Sequence, residues 1–216
     1  MSLFDVLPTI FSGFFSFVVI LVVVVVVVVI RRERRRVAAL QAYAAQAGWQ
    51  PITGPAPEPV ARDARSRRCK LALGAQRGPH HLWMVWHQWT ESTGSGQTSS
   101  SRTRNRTRYY LWLGPAYPDV SVRRRTGIGA FFKPVRGVGT ADAAFDKAFL
   151  VRPGDSHEPL RLLTPPLREA MLAGRLPVWA ISGGVLITSY DDMPRIESLQ
   201  PRADGICYVA DALGRG

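Results

Sequence analysis

His81–Thr90 (HLWMVWHQWT), Glu91–Ser101 (ESTGSGQTSSS) and Arg102–Leu113 (RTRNRTRYYLWL) are consecutive, and together they decide the fold class. The first segment is aromatic and long enough for a strand. The second is polar and low in complexity, and reads as a mobile loop. The third alternates. Arg102, Arg104, Arg106 and Arg108 fall on one face, continued by Tyr110 and Trp112, while Thr103, Thr107, Tyr109 and Leu111 fall on the other. Two strands around a solvated loop predict a long β-hairpin, its arginines an exposed basic row.

Downstream, Asp119–Val122 is a short strand leading into Arg123, Arg124 and Arg125. Asp142–Lys147 can form a helical turn, and the apolar run Ala148–Arg152 a strand. At Thr164 a capping hydroxyl precedes Pro165 and Pro166, where a missing N–H costs nothing in a first helical turn. That helix should run to Ala173 and stop at Gly174. Val178–Ile181 and Val185–Ser189 flank Ser182-Gly183-Gly184, a turn that tolerates positive φ, so a second hairpin is expected. Met193–Leu213 predicts a helix broken at Pro201. This mixed order predicts an α+β domain with an antiparallel sheet and a few helices.

Upstream, Val37–Ala47 is alanine-rich and ends at Gly48, a suitable helix stop, and the four prolines of Gln50–Pro59 predict an extended connector. From Val6 to Ile30 no residue is charged, and Leu21–Ile30 reads LVVVVVVVVI. As a helix this run is about 37 Å long, against a hydrocarbon core of about 30 Å. A cleaved signal peptide would carry positive charge before the run; here Asp5 precedes it and RRERRR follows. The run therefore predicts an uncleaved transmembrane helix. Arg31, Arg32, Arg34, Arg35 and Arg36 place the C-terminal side in the cytoplasm by the positive-inside rule. The expected organisation is an anchor with its arginine flank (1–36), a juxtamembrane helix and connector (37–60) and a cytoplasmic α+β domain (61–216). The expected location is the inner (plasma) membrane, N-terminus outside.

With 46% hydrophobic and 10% aromatic residues, the chain has too much apolar surface to be wholly disordered. Cys69 and Cys207 lack metal-like spacing and read as free thiols of a reducing compartment. His80, His81 and His87 cluster in sequence, yet His81 and His87 would lie about 20 Å apart on one strand, too far to share a metal. No cofactor is implied. Thr126–Lys133 (TGIGAFFK) has the glycines and lysine of a phosphate loop but lacks the Gly-Lys-Ser/Thr junction, so a glycine-permitted bend is the better reading. No nucleophile elbow occurs, and Asp191-Asp192, with no partner visible, reads as a solvated turn. No catalytic residue is nominated.

Charge is the remaining signal. Val37–Arg136 carries 15 basic and 4 acidic side chains, whereas Gly137–Gly216 carries 8 and 10. The asymmetry favours polyanions. The candidate anionic-surface contacts are Arg31, Arg32, Arg34, Arg35, Arg36, Arg102, Arg104, Arg106, Arg108, Arg123, Arg124 and Arg125. A solvated strand face is the bland reading. Anionic lipid follows, being the polyanion nearest to a tethered domain, and nucleic acid comes last.

Phe145-Asp146-Lys147-Ala148-Phe149-Leu150-Val151, Leu162-Leu163-Thr164-Pro165 and the Ile181–Ile187 hairpin together resemble bacterial membrane-anchored domains of the domain-of-unknown-function 3137 group. Gly48-Trp49 and Val122–Gly129 (VRRRTGIG) are similar as well. The resemblance implies a membrane-tethered globular domain and supplies no substrate or catalytic residue. The Ser/Thr-rich loop and the arginine strand depart from that pattern. The expected function is a non-enzymatic tethered module that binds protein partners or the anionic leaflet. The alternative is an enzyme or nucleotide-binding domain whose site one sequence does not reveal.

Overall fold

The computed structural model describes the backbone of residues 3–93, 100–125, 137–154 and 158–214, with side chains for all of these except 3–19, 93, 158 and 159. The chain divides into two compact units, Met1–Tyr43 and Ala44–Gly216.

The first unit is helical. Helix α1 (Leu3–Gln46) continues three residues into the second unit. Its side chains from Ile20 to Ile30 are all aliphatic and 42–62% exposed. Among the described residues no helix is long and apolar enough to cross a membrane. The side chains of Val6–Val19, most of the expected span, lie outside the described residues.

The second unit is an α+β domain. In chain order it comprises β1 (Trp49–Pro51), α2 (Glu58–Ala64), β2 (Cys69–Arg77), β3 (His80–Thr93), β4 (Ser100–Trp112) and β5 (Val120–Arg124). Then come α3 (Ala143–Ala148), β6 (Phe149–Pro153), a 3-10 turn (Glu158–Leu162), α4 (Pro165–Leu172), β7 (Trp179–Ser182), β8 (Val185–Tyr190) and α5 (Ile196–Leu213). Among the described residues the strands form one antiparallel sheet in the order β1-β2-β3-β4-β8-β7-β5-β6.

Alternation sets which face is buried. One register row runs Leu73, Met84, Tyr109, Thr188, Trp179, Val122, Val151 across seven strands. Every member is at most 2% exposed, so this face is the main core. Helix α5 packs on β4 and β8 with a stripe of Leu199, Ala203, Ile206, Val209, Ala210 and Leu213. Phe145 of α3 and Leu167, Ala170 and Met171 of α4 are buried too. Helix α2 lies on the other face, where Val60, Val85, Tyr110 and Val185 form a smaller cluster.

The hairpin outruns the sheet. β2 pairs with β3 only as far as His87, and β8 with β4 only as far as Thr107. Gln88–Thr93 and Ser100–Asn105 therefore continue as a two-stranded ribbon.

Several expectations change. Glu91–Thr93, Ser100 and Ser101 are paired strand rather than loop, because the register of the hairpin continues past Trp89; residues 94–99 lie outside the described residues. Gln50–Pro59 is only partly a connector. Trp49, 1% exposed, anchors a short edge strand, and Pro59 sits in the first turn of α2, where its ring is tolerated. Thr164 begins α4 without a side-chain capping bond. α5 is continuous through Pro201. The proline ring crowds a carbonyl only at the helix start, and the buried stripe beyond it holds the helix to the sheet. Thr126–Lys133 lies outside the described residues.

Candidate functional site

A basic surface is built where α2 meets the hairpin. The chain leaves α2 at Arg65 and runs beside β3, the Gln88 N–H donating to the Arg68 carbonyl at 2.9 Å. His87 Nε2 meets the Asp63 carbonyl at 3.0 Å and fixes the other end of this docking. Arg62, Arg65, Arg67, Arg68 and Lys70 are all exposed on the segment that this docking brings to the hairpin. The centre is Trp89. The Arg68 and Arg106 guanidiniums each lie 5.6 Å from its ring centroid, within cation–π range. Glu91 accepts from Trp89 Nε1 and from Arg104 Nε, both at 2.9 Å.

The nominated arginines separate. Arg102 and Arg104 are exposed on the ribbon. Arg106 is partly buried and donates to Asp191 at 2.7 Å. Arg108 is also partly buried and donates to Asp63, so the row of four is not uniformly solvated. Arg123, Arg124 and Arg125 are exposed on and just after β5, about 14 Å from β4 because β8 and β7 intervene. Arg124 lies over the Phe149 ring and Arg125 donates to the Phe149 carbonyl. Arg31, Arg32, Arg34, Arg35 and Arg36 are exposed on α1, in the first unit. The group at Arg62–Lys70 was not nominated, although ARDARSRRCK carries its own signal: a basic run whose placement depends on how α2 docks.

Beneath this surface Asp63 accepts from both Arg108 and the Tyr110 hydroxyl. Burial alone would push its carboxyl up. The bond from Tyr110, then the bond and charge of Arg108, outweigh burial and hold it below the usual carboxylate range. Burial and the bond to Asp63 push the Tyr110 phenol well above its usual value. Both groups are locked in their neutral-pH forms, which suits a clamp holding α2 to the sheet better than a proton-transfer pair.

Asp191 is solvated as expected, its side chain 76% exposed, but both it and Asp192 have partners. Asp192 forms a two-pronged bond with Arg202 of α5 at 2.8 and 2.6 Å, and Arg202 lies 4.0 Å over the Tyr190 ring. The end of β8 delivers one aspartate to the hairpin and the other to the helix.

A cleft of about 420 Å³ lies at the opposite end of the hairpin, lined by His80, Trp112, Leu113, Tyr117, Ala210, Asp211 and Gly214. His80 Nε2 and Asp211 Oδ1 are 2.8 Å apart. Cys207, one turn before Asp211 on α5, completes a nominal Cys/His/Asp set. The chemistry argues against it. Burial, then Asp211 and Asp204, push the thiol up to about 11, so at neutral pH almost no thiolate exists to attack. Cys69 is likewise a free, half-buried thiol pushed up by burial. The histidines go separate ways: His80 to Asp211, His87 to α2, and His81 stacked 6.1 Å from Trp83. Among the described residues no group of three His, Cys, Asp or Glu is placed to hold a metal ion.

No family model, no curated protein and no solved structure matches this chain.

Proposed function

We propose that the protein is a single-pass membrane protein whose α+β domain is a non-enzymatic module held at the cytoplasmic leaflet, engaging anionic lipid through the basic surface around Trp89. The observation that carries the reading is the meeting of Arg68 and Arg106 over Trp89, which brings the exposed basic run Arg62–Lys70 to the hairpin that carries the exposed Arg102 and Arg104. Near a negatively charged surface each such residue contributes about 1 kcal/mol, enough in sum to hold a tethered domain down. The anchor is supported by eleven successive exposed aliphatic side chains around α1, a surface costly to leave in water on every side of a helix. Location in the plasma membrane, with the domain inside, rests on the arginine flank. Protein partners of the module would compete for the same face.

The test uses the fragment from Val37 onward on vesicles. Wild type should bind vesicles containing anionic lipid at low salt and ignore neutral ones. A variant with Arg62, Arg65, Arg67, Arg68, Arg102 and Arg104 replaced by Gln should lose most of that binding with an unchanged urea midpoint. Arg106 and Arg108 stay because they are partly buried as well as paired, whereas the pairs of Arg65 with Glu58 and of Arg104 with Glu91 are exposed. Binding should also fall in 1 M salt, where the Debye length is about 3 Å. Equal binding by variant and wild type would sink the lipid reading. Tight binding of single-stranded nucleic acid, with none to anionic vesicles, would replace it by the nucleic-acid reading.

A further inference from the structure

The cleft at the far end of the hairpin takes no part in the basic surface, and among the described residues its lining holds Asp211 and no lysine or arginine. Trp112 is 43% exposed at its wall. Tyr117 stands beside the end of α5, its hydroxyl 3.8 Å from where a side chain on Gly214 would begin. Among the described residues neither ring has a cation over it or an aromatic partner, in contrast to Trp89 and Tyr190. The Asp211 side chain is 49% exposed, with Oδ1 against His80. α5 ends here with no Lys or Arg in its last turn, so the partial negative charge of its C-terminus faces the cleft unopposed from within that turn. Two aromatic rings and a carboxylate thus line one cleft beside a helix C-terminus, in a chain of net charge +12.

We infer that this cleft binds a small quaternary ammonium ion, its methyl groups against Trp112 and Tyr117 and its charge toward Asp211. A primary ammonium fits less well. It donates up to three hydrogen bonds, and one oxygen of Asp211, the only carboxylate in the described lining, already meets His80. A quaternary group donates no hydrogen bonds and asks only for aromatic faces and a nearby negative charge. Leu113 and Ala210 add apolar wall for the methyl groups.

The probe is choline, titrated calorimetrically into the full chain in a sugar-headgroup detergent, so that no lipid choline competes. Choline should bind saturably at one site per chain, and its uncharged isostere, with carbon in place of nitrogen, at least about tenfold more weakly. Trp112→Leu should weaken choline binding by about tenfold with an unchanged melting temperature, since this side chain is exposed. Asp211→Asn keeps the shape and should also weaken choline binding, while leaving that of the isostere unchanged. Absence of binding, equal binding of the isostere, or wild-type affinity in Trp112→Leu would each overturn the inference. A loss confined to Asp211→Asn with altered melting would count against it as well, by showing only that the His80 pair is structural. None of these outcomes bears on the anionic-lipid surface, which lies at the other end of the hairpin.

Discussion

Asp63 illustrates how one carboxylate can decide the placement of a whole basic segment. Its side chain is 14% exposed and that of Arg108 31%, so removing one leaves the other poorly solvated and unpaired. Asp63→Ala should therefore cost about 3 kcal/mol in urea unfolding, while the double variant Asp63→Leu, Arg108→Met should lie closer to wild type. The pH dependence has a definite sign. The folded carboxyl titrates below its unfolded value of 3.8, so its stabilisation is present above that pH and is lost as pH falls through the lower folded value. Stability measured from pH 6 down to pH 2 should fall less steeply in Tyr110→Phe, which lacks one of the bonds that depress the pKa. At this scale the sequence was only half legible. Alternation put Arg102–Arg108 on one face correctly, but whether an arginine there is solvated depends on partners 45 and 85 residues away, which no local pattern reveals. The same distance hid the partner of Asp191, while Arg202, the partner of Asp192, is 10 residues on and was hidden by the break expected at Pro201.

The turn Ser182-Gly183-Gly184 was readable because its signal is local. Both glycines have positive φ, +57° and +73°, and Ser182 pairs with Val185 across them, the geometry of a two-residue hairpin. Their surroundings differ. A side chain at Gly183 would meet nothing within 4 Å, whereas one at Gly184 would begin 2.2 Å from the Gly114 carbonyl oxygen. Gly183→Ala should cost about 1 kcal/mol, the price of a left-handed residue, and Gly184→Ala more than twice that in chemical denaturation. Equal losses would mean that the Gly114 turn does not press on the hairpin. Elements with such punctuation were found near their sequence positions: β4, β5, α3, α4, β7 and β8. Elements governed by tertiary packing were not. Proline richness hid β1 and α2, which exist because Trp49 and Val60 have apolar faces of the sheet to cover. Pro201 suggested a break that the buried face of α5 does not permit.

For the whole molecule, charge and hydropathy point the same way along the chain. An aliphatic helix precedes five arginines, and the basic half of the domain follows, with the near-neutral half beyond it. If α1 is an anchor, these arginines set which side the domain occupies, because moving five of them across a membrane is costly. A reporter active only outside the membrane, fused after Gly216, should then be silent, and one active only in the cytoplasm should report. In the same cells Cys69 and Cys207 should both be alkylated as thiols on lysis, in keeping with a reducing compartment. Replacing Arg31, Arg32, Arg34, Arg35 and Arg36 by Gln, and adding three lysines before Val6, should move the outside-active reporter from silent to active in a sizeable fraction of molecules. The orientation then follows the charge difference across the helix rather than any property of the domain. An outside-active signal from the unaltered chain would reverse the proposed orientation, and the basic surface around Trp89 would then face a leaflet that carries far less anionic lipid.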